Sequence, residues 1–296
     1  NKAKSFAQGV FASHKKFSNI IRWFDGFKDG GIGYQVLQRP LQERTNWASA
    51  EKAKATTALA DIFSVFGFKE RSKLYTPVFI EEINESLSKS AMLAVALNWG
   101  NAINRQRIMG GEKWGHVQIQ AIMDRLSKKE MDFVQSVWDY YDTFWEAVAA
   151  KEKRVSGVAP TKVEPLPVYT KHGTYRGGYH PIKFSPERSN EAFKHMISAA
   201  EETGKLGAFG RGMTKRDHAK ERVEGEVNIA MRLDLDVVFE HVTEVIQDLA
   251  FHEYLIDAGR ILNHEDFHAA VVTKYNDAIF AQLKATTADV ALGEVP

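Results

Sequence analysis

The sequence SKKEMDFVQSVWDYYDTFWEAVAAKEKR, residues 127–154, decides the fold class of this chain. It opens with Ser127 and places Glu130 three residues later, which is the capping-box pattern that starts a helix. Behind this start, large apolar residues recur at helical spacing and form a stripe wider than a contact with one other helix requires. The stripe consists of Phe133, Val134, Val137, Trp138, Tyr141, Phe144, Trp145 and Val148. We therefore predict one long helix that runs to about Arg154 and lies at the centre of a helical bundle.

The flanking segments are also mostly helical by their apolar periodicity. Residues 4–27 form an amphipathic pattern that Asp29-Gly30-Gly31 ends. Further helices are predicted at 33–66 with an interruption near Pro40 and a C-cap at Gly67, at 77–97 with an acidic first turn of Glu81, Glu82 and Glu85, at 114–126, at 187–203 and from Leu233 onward. Residues 155–186 differ, because prolines and glycines separate short β-prone pieces. The prediction is a mainly α fold: a multi-helix bundle with a Pro/Gly-rich, partly extended insertion around 155–186.

The change of composition also predicts the domain organisation. We expect an N-terminal helical region at 1–155, a Pro/Gly-rich arm or linker at 156–186 and a C-terminal helical region at 187–296. The chain begins Asn1-Lys2-Ala3-Lys4 without an initiator methionine or a signal-peptide pattern. We therefore expect an ordered piece of a longer chain, with other domains as its neighbours.

Composition excludes several classes of protein. The formal net charge is +1, from 39 basic and 38 acidic residues, so the overall field does not indicate nucleic-acid binding and any basic surface has to be local. The chain contains no cysteine, which excludes disulfides, thiolate zinc sites and cysteine nucleophiles. No apolar run reaches the about 18 residues that a membrane span needs. We expect no membrane span.

Two polar motifs stand at the ends of otherwise apolar elements. The first runs from Asn98 to Arg107 and the second from Arg176 to Phe184. Amide side chains of the first motif can satisfy the backbone of the second, where two adjacent glycines allow close approach. The same amides can instead bind phosphate, so both interpretations stay open. The residues concerned are Asn98, Trp99, Gly100, Asn101, Asn104, Gly177, Gly178, Tyr179, His180 and Pro181.

These motifs resemble the helical module found inside the large polyvalent proteins of bacteriophages and conjugative elements, which enter the host cell with the DNA. The resemblance covers roughly residues 75–270. It implies an internal virion protein or polyvalent protein that lies in the virion interior, in the host cytoplasm after delivery, or in both. The implied function is that of a non-enzymatic scaffold and contact surface in DNA ejection or early host takeover, without a cofactor. The implied partners are the rest of a longer chain, other virion or host proteins and DNA, and an oligomer is compatible with them.

An enzyme is the first alternative. His264, Glu265 and His268 form an H-E-x-x-H pattern, which on a buried helix can hold zinc beside a general base. Asp266 and the predicted N-cap Asn263 argue against that interpretation, because they indicate the exposed first turn of a helix. Some phage ejection proteins carry wall-degrading lytic transglycosylase domains, but no glutamate here is identifiable as the catalytic acid. We assign no catalytic residue.

A polar stripe on the helix after Leu233 is a second candidate for a metal site or a polar network. His241, Glu244, Asp248 and His252 follow one another at spacings that share one helical face. Buried pairing of histidine with carboxylate is the favoured interpretation of this stripe.

Direct DNA binding is the other alternative. Residues 204–216 are glycine-rich and basic, but they lack the Gly-Lys-Ser/Thr ending of a nucleotide-binding loop. A basic surface would therefore have to be built from side chains that come together in space. The candidates are Arg105, Arg107, Arg176, Lys205, Arg211, Lys215 and Arg216.

Overall fold

The structure is a computed structural model of the chain and describes residues 17–189, 194 and 228–292. Its described residues form two compact units, one of 17–51 and 246–292 and the other of 52–189, 194 and 228–245. The α-helices are α1 (Phe17–Phe24), α2 (Arg39–Phe63), α3 (Phe68–Arg71), α4 (Lys89–Asn98), α5 (Ala102–Glu112), α6 (His116–Met123), α7 (Lys128–Asp142), α8 (Trp145–Ser156), α9 (Asp236–Leu262), α10 (Glu265–Lys274) and α11 (Asp277–Leu292). The strands are β1 (Pro77–Ile80), β2 (Glu85–Ser88), β3 (Val168–Thr170) and β4 (Gly173–Tyr175).

Helices dominate the described residues, and the strands form only two small antiparallel hairpins, β1–β2 and β3–β4. The predicted mainly α, multi-helix fold is therefore confirmed. Within the described ranges, no helix combines the length and the apolar character that crossing a bilayer requires. Residues 4–16, most of the predicted helix at 187–203 and the whole basic loop at 204–216 lie outside the described residues.

In the first unit, the loop after α1 is held by one carboxylate. Asp25 accepts hydrogen bonds from the backbone N–H groups of Gly33, at 2.7 Å, and Tyr34, at 2.8 Å, where a π-helical turn at Tyr34–Gln38 begins. Residues 32–63 are helical without a break, and this turn ends at Arg39, whose N–H bonds to the Tyr34 carbonyl; the α-helical pattern then resumes in α2, where Pro40 has no N–H of its own. The predicted interruption near Pro40 takes the form of this π-helical turn.

The second unit is built around α4, whose residues from Ser90 to Asn98 are all buried. Its start is capped by Ser88, whose Oγ accepts from the N–H of Ala91 at 3.1 Å. Helix α7 packs against α4 and starts as predicted, because Ser127 and Glu130 form a reciprocal capping box. Trp138 of α7 is fully buried.

The long helix predicted to Arg154 is two helices, α7 and α8. The interruption lies at Thr143 and Phe144, whose N–H groups bond to carbonyls three residues earlier instead of four. The Thr143 hydroxyl also donates to the Tyr140 carbonyl, at 2.6 Å. A threonine that bonds back to the preceding turn competes slightly with continuation of the helix, so this bond accompanies the tightened turn at the break.

The predicted helix at 77–97 is wrong in its first half. Residues 77–88 form the β1–β2 hairpin, and its turn includes Asn84, whose φ is +54°. A left-handed residue in a tight turn is a typical role of asparagine. The acidic residues Glu81 and Glu82 therefore lie in a 3₁₀ turn, and Glu85 lies in β2.

Two predicted caps are also corrected. Gly67 is in an extended conformation and caps the start of α3 rather than the end of α2, and its N–H bonds to Glu70 at 2.7 Å. The N-cap of α10 is His264, one residue after the predicted Asn263. The insertion at 155–186 is partly extended as predicted, because it contains the β3–β4 hairpin.

Candidate functional site

The two polar motifs meet in the second unit. Asn101 caps the start of α5, since its Oδ1 accepts from the N–H of Asn104 at 3.0 Å. Its Nδ2 donates to the carbonyl of Gly178 at 3.2 Å, so one side chain both caps a helix and binds the second motif. We call Asn98, Asn101 and Asn104 the asparagine cluster and residues 176–184 the glycine loop.

Asn104 is the central member of the asparagine cluster. Its Nδ2 donates to Oδ1 of Asn98 at 2.8 Å and to the carbonyl of His180 at 3.0 Å. Asn98 in turn donates to the Ala94 carbonyl at 2.9 Å. All three asparagines are buried, so their amide groups satisfy loop and helix carbonyls in an environment without competing water.

Glycines allow the two backbones to approach closely. The carbonyl of Gly100 accepts from the N–H of Leu166 at 2.8 Å and from that of Gly178 at 3.0 Å. Gly177 has a φ of +82°, and a Cβ at Gly178 would lie 2.5 Å from Cβ of Trp138. The glycine loop therefore lies directly on Trp138 and on the turn between α4 and α5, where a side chain has no room.

Tyr179 and His180 of the glycine loop pack against aromatic rings of α7 and α9. The His180 ring stacks on Tyr141 of α7 at 6.0 Å between centroids, and Tyr179 lies 5.4 Å from His241 of α9. His180 and Pro181 are both buried. Burial also raises the pKa of the Tyr141 phenol well above its usual range. This region is therefore part of the apolar core of the second unit.

The described arginines of the DNA-binding hypothesis have three different environments. Arg105 donates to backbone carbonyls, Arg107 is buried with its guanidinium 5.9 Å from the Phe184 ring, and Arg176 forms ion pairs with two aspartates. Those partners, Asp139 at 2.7 Å and Asp142 at 2.9 Å, raise the pKa of Arg176. The other candidates, Lys205, Arg211, Lys215 and Arg216, lie outside the described residues.

The H-E-x-x-H residues do not assemble into a metal centre. His264 precedes α10 as its N-cap, and its side chain is exposed. Nε2 of His268 lies 3.4 Å from Oδ1 of Asp277. Among the described residues, His264, Glu265 and His268 do not bring three ligand atoms within 4.8 Å of one another. The arrangement lacks the buried mid-helix position that a zinc peptidase uses.

The polar stripe of α9 is buried or half-buried along its length. In the first unit, Nδ1 of His252 lies 3.5 Å from Oδ1 of Asp248, with both side chains almost completely buried. In the second unit, Glu244 accepts from Nζ of Lys183 at 2.7 Å. The favoured interpretation, buried pairing of histidine with carboxylate, is confirmed for Asp248 and His252.

A buried carboxylate that was not expected from the sequence joins the two chain segments on either side of 190–227. Glu112, at the end of α5, accepts from Nη2 of Arg188 at 2.5 Å and from the N–H of Met231 at 3.0 Å. The same segments pair through backbone hydrogen bonds, such as Ser185 N–H to the Ala230 carbonyl at 2.9 Å. No local sequence pattern predicts the role of Glu112, because its partners lie 76 and 119 residues away.

We expect Glu112→Gln to lower the free energy of unfolding by about 2 kcal/mol, because a buried carboxylate loses its charge while Arg188 keeps its own. Urea unfolding followed by circular dichroism measures this. Glu43→Gln is the matched control, since Glu43 pairs with Arg39 in an exposed i,i+4 ion pair and its loss should leave stability nearly unchanged. Equal effects of the two variants would contradict the role given to Glu112.

A groove of about 700 Å³ is lined by Trp99 and Arg105, the neighbours in sequence of Asn98 and Asn104. We call it the Arg105 groove. It is lined by Glu82, Trp99, Arg105, His116, Val117, Ile119, Gln120, Ala121, Asp124, Arg125, Pro167 and Tyr169. Apart from Trp99 and Arg105, none of these residues was a sequence candidate, because they come from separate elements and no spacing connects them.

Comparison of the chain with protein-family models, with curated proteins and with solved structures finds no match.

Proposed function

We propose that this chain is a non-enzymatic helical module of a phage-type protein that is delivered with DNA, and that it serves as scaffold and contact surface in DNA ejection or early host takeover. The proposal combines the resemblance of the two polar motifs with the way in which their residues are used.

The observation that carries the proposal is the mutual bonding of the two motifs. The amide of Asn101 binds the glycine loop at Gly178, and that of Asn104 binds it at His180. Side chains that are buried and bonded to backbone cannot bind a substrate in the same state. The motifs that carry the resemblance therefore support an architectural role, in which they hold an extended arm on a helical core.

Delivery is the property to test. The native gene is tagged, and purified nuclease-treated particles, or recipient cells after conjugation, are probed by immunoblot. The proposal predicts the chain in the particles or the recipients. A tagged cytoplasmic replication protein of the same element is the control and should stay in the producing cells. Detection of the chain only in producing cells would contradict the proposal.

The absence of hydrolysis is a separate expectation. The purified chain should not clear peptidoglycan in a zymogram, and added zinc should not produce peptidase activity. Clearing of peptidoglycan by the purified chain would contradict the non-enzymatic role and indicate a wall-degrading enzyme instead. Lysozyme serves as the positive control for the zymogram.

A further inference from the structure

The Arg105 groove contains a partly buried arginine that no carboxylate of the described residues neutralises. Nε of Arg105 donates to the Trp99 carbonyl at 2.7 Å, and Nη2 donates to the Pro167 carbonyl at 2.7 Å. Within the described residues, Nη1 of Arg105 donates to no atom and no aspartate or glutamate pairs with the guanidinium. The side chain is thus fixed in place by neutral carbonyls.

Other described arginines around this region are compensated. Arg125, in the same groove, forms a bidentate contact with Glu82, in which the shorter distance, from Nη2 to Oε2, is 2.9 Å. Arg176 pairs with two aspartates. Desolvating a guanidinium without a counter-charge is unfavourable, and an anion on the groove side of Arg105 would offset it. Burial accordingly lowers the pKa of Arg105. A rigid guanidinium with an unused N–H edge is suited to a phosphate or carboxylate oxygen.

Aromatic surface lies next to this charge. Tyr169 of β3 is 72% exposed, and its phenol is close enough to Arg105 to affect the pKa of the guanidinium. Trp99 lies under Arg105, with 5.0 Å from the guanidinium carbon to the ring centroid, and the His116 ring meets Trp99 edge-on at 5.5 Å. An exposed ring beside a fixed positive charge matches a ligand in which an anionic group is attached to a flat ring.

We propose that the Arg105 groove binds single-stranded nucleic acid, with a phosphate on Nη1 of Arg105 and a neighbouring base against Tyr169. A groove of about 700 Å³ is within the usual size range of ligand sites. Stacking of bases on aromatic side chains beside a positive charge is the general mode of single-strand binding.

Duplex DNA fits the groove less well. Glu82 and Asp124 line the same groove, so it offers few positive charges to the two phosphate rows of a duplex. The near-neutral chain supplies no strong field from elsewhere. The paired bases of a duplex also present no free face to Tyr169. The inference rests on the proposed function only in taking nucleic acid as the relevant partner. The geometry of the Arg105 groove does not depend on the proposed function.

The test uses the full 296-residue chain and fluorescence anisotropy of labelled oligothymidylate about ten nucleotides long, at several salt concentrations. We expect saturable binding whose log K falls against log salt with a slope of about −0.7 to −1.4, as for one or two phosphate contacts. A duplex of the same length should bind more weakly. Inorganic phosphate should compete only at much higher concentration.

Tyr169→Ala is the decisive variant, because Tyr169 is exposed and its loss leaves the core intact. It should weaken binding about ten-fold. Phe68→Ala is the matched control: Phe68 is an aromatic residue of the same unit, is 89% exposed and lies outside the groove, so its loss should leave binding unchanged. Arg105→Gln should reduce the salt slope, with the melting temperature measured to verify folding.

Three results would overturn the proposal: no binding of oligothymidylate at low salt, equal affinities of Tyr169→Ala and Phe68→Ala, or displacement of the oligonucleotide by a poly-glutamate peptide at equal concentration. The last result would assign the groove to acidic peptides. Delivery and groove binding fail independently. A chain that binds oligothymidylate but stays in producing cells contradicts only the proposed function, and a delivered chain that does not bind contradicts only the groove assignment.

Discussion

Gly177→Ala is expected to lower the free energy of unfolding of the second unit by roughly 4 kcal/mol. A Cβ at this position would lie 2.1 Å from the Leu166 carbonyl oxygen and 2.7 Å from that of Gly100. These are backbone atoms, so the contact cannot be relieved by rotation of a side chain. The left-handed φ of +82° adds its own strain for alanine. Urea unfolding followed by far-ultraviolet circular dichroism measures the loss.

Gly157→Ala measures the cost of a left-handed alanine without the close backbone contacts that Gly177 has. Gly157 ends α8 with the same φ of +82°, but a Cβ added there would have no neighbouring atom within 4 Å. The free energy of unfolding of the Gly157→Ala variant should therefore fall by only about 1 kcal/mol, the cost of a left-handed alanine. If both variants lost the same amount, the close packing of the glycine loop on the α4–α5 turn would be contradicted.

Asn104→Leu is expected to lower the free energy of unfolding by about 3 kcal/mol, the second largest effect. The substitution keeps similar size but removes the Nδ2 donor, which leaves Oδ1 of Asn98 and the His180 carbonyl without that bond in a buried site. Gln106→Leu is the control two residues further along α5, because Gln106 is exposed and should change stability little.

A double-mutant cycle tests whether the asparagine cluster acts as a unit. Asn98→Ala and Asn104→Leu remove the two ends of the same 2.8 Å hydrogen bond. The combined loss should be smaller than the sum of the single losses by about 1 kcal/mol. Strict additivity would mean that the two amides contribute separately, and the asparagine cluster would then not be a connected network.

Local signals made part of the fold predictable. The Ser127–Glu130 capping box and the apolar stripe behind it correctly indicated the start of α7 and the burial of Trp138. The amides of the first motif were likewise recognisable, because asparagines at the end of an apolar helix need partners. What they bind was one of two interpretations, and the hydrogen bonds of Asn101 and Asn104 lead to the glycine loop.

The errors arise where short segments fit two periodicities. The apolar residues of 77–88 are too few to distinguish a helix from a hairpin, and the outcome depends on the left-handed turn at Asn84. The α7 helix ends at a tightened turn at Thr143 and Phe144, in a pattern whose apolar stripe continues beyond it. Local sequence therefore predicts neither the hairpin at 77–88 nor the end of α7 strongly.

The Arg105 groove shows a different limit. His116, Arg125 and Tyr169 come from separate parts of the chain, and none has a spacing that indicates recognition. Arg105 was a candidate for its charge, but its fixed geometry depends on the carbonyls of Trp99 and Pro167, which only the fold brings together. Such sites depend on long-range contacts that a single sequence does not reveal.

Native-state hydrogen exchange at Leu166 and at Gly178 of the glycine loop tests the central claim most directly. The N–H groups of Leu166 and Gly178 both donate to the carbonyl of Gly100, which is buried. If the asparagine cluster holds this arm on the core, both amides should exchange only with unfolding of the second unit, at the same free energy as the amides in α4. Fast exchange of Leu166 and Gly178 while α4 stays protected would show that the arm opens separately, and would contradict the account.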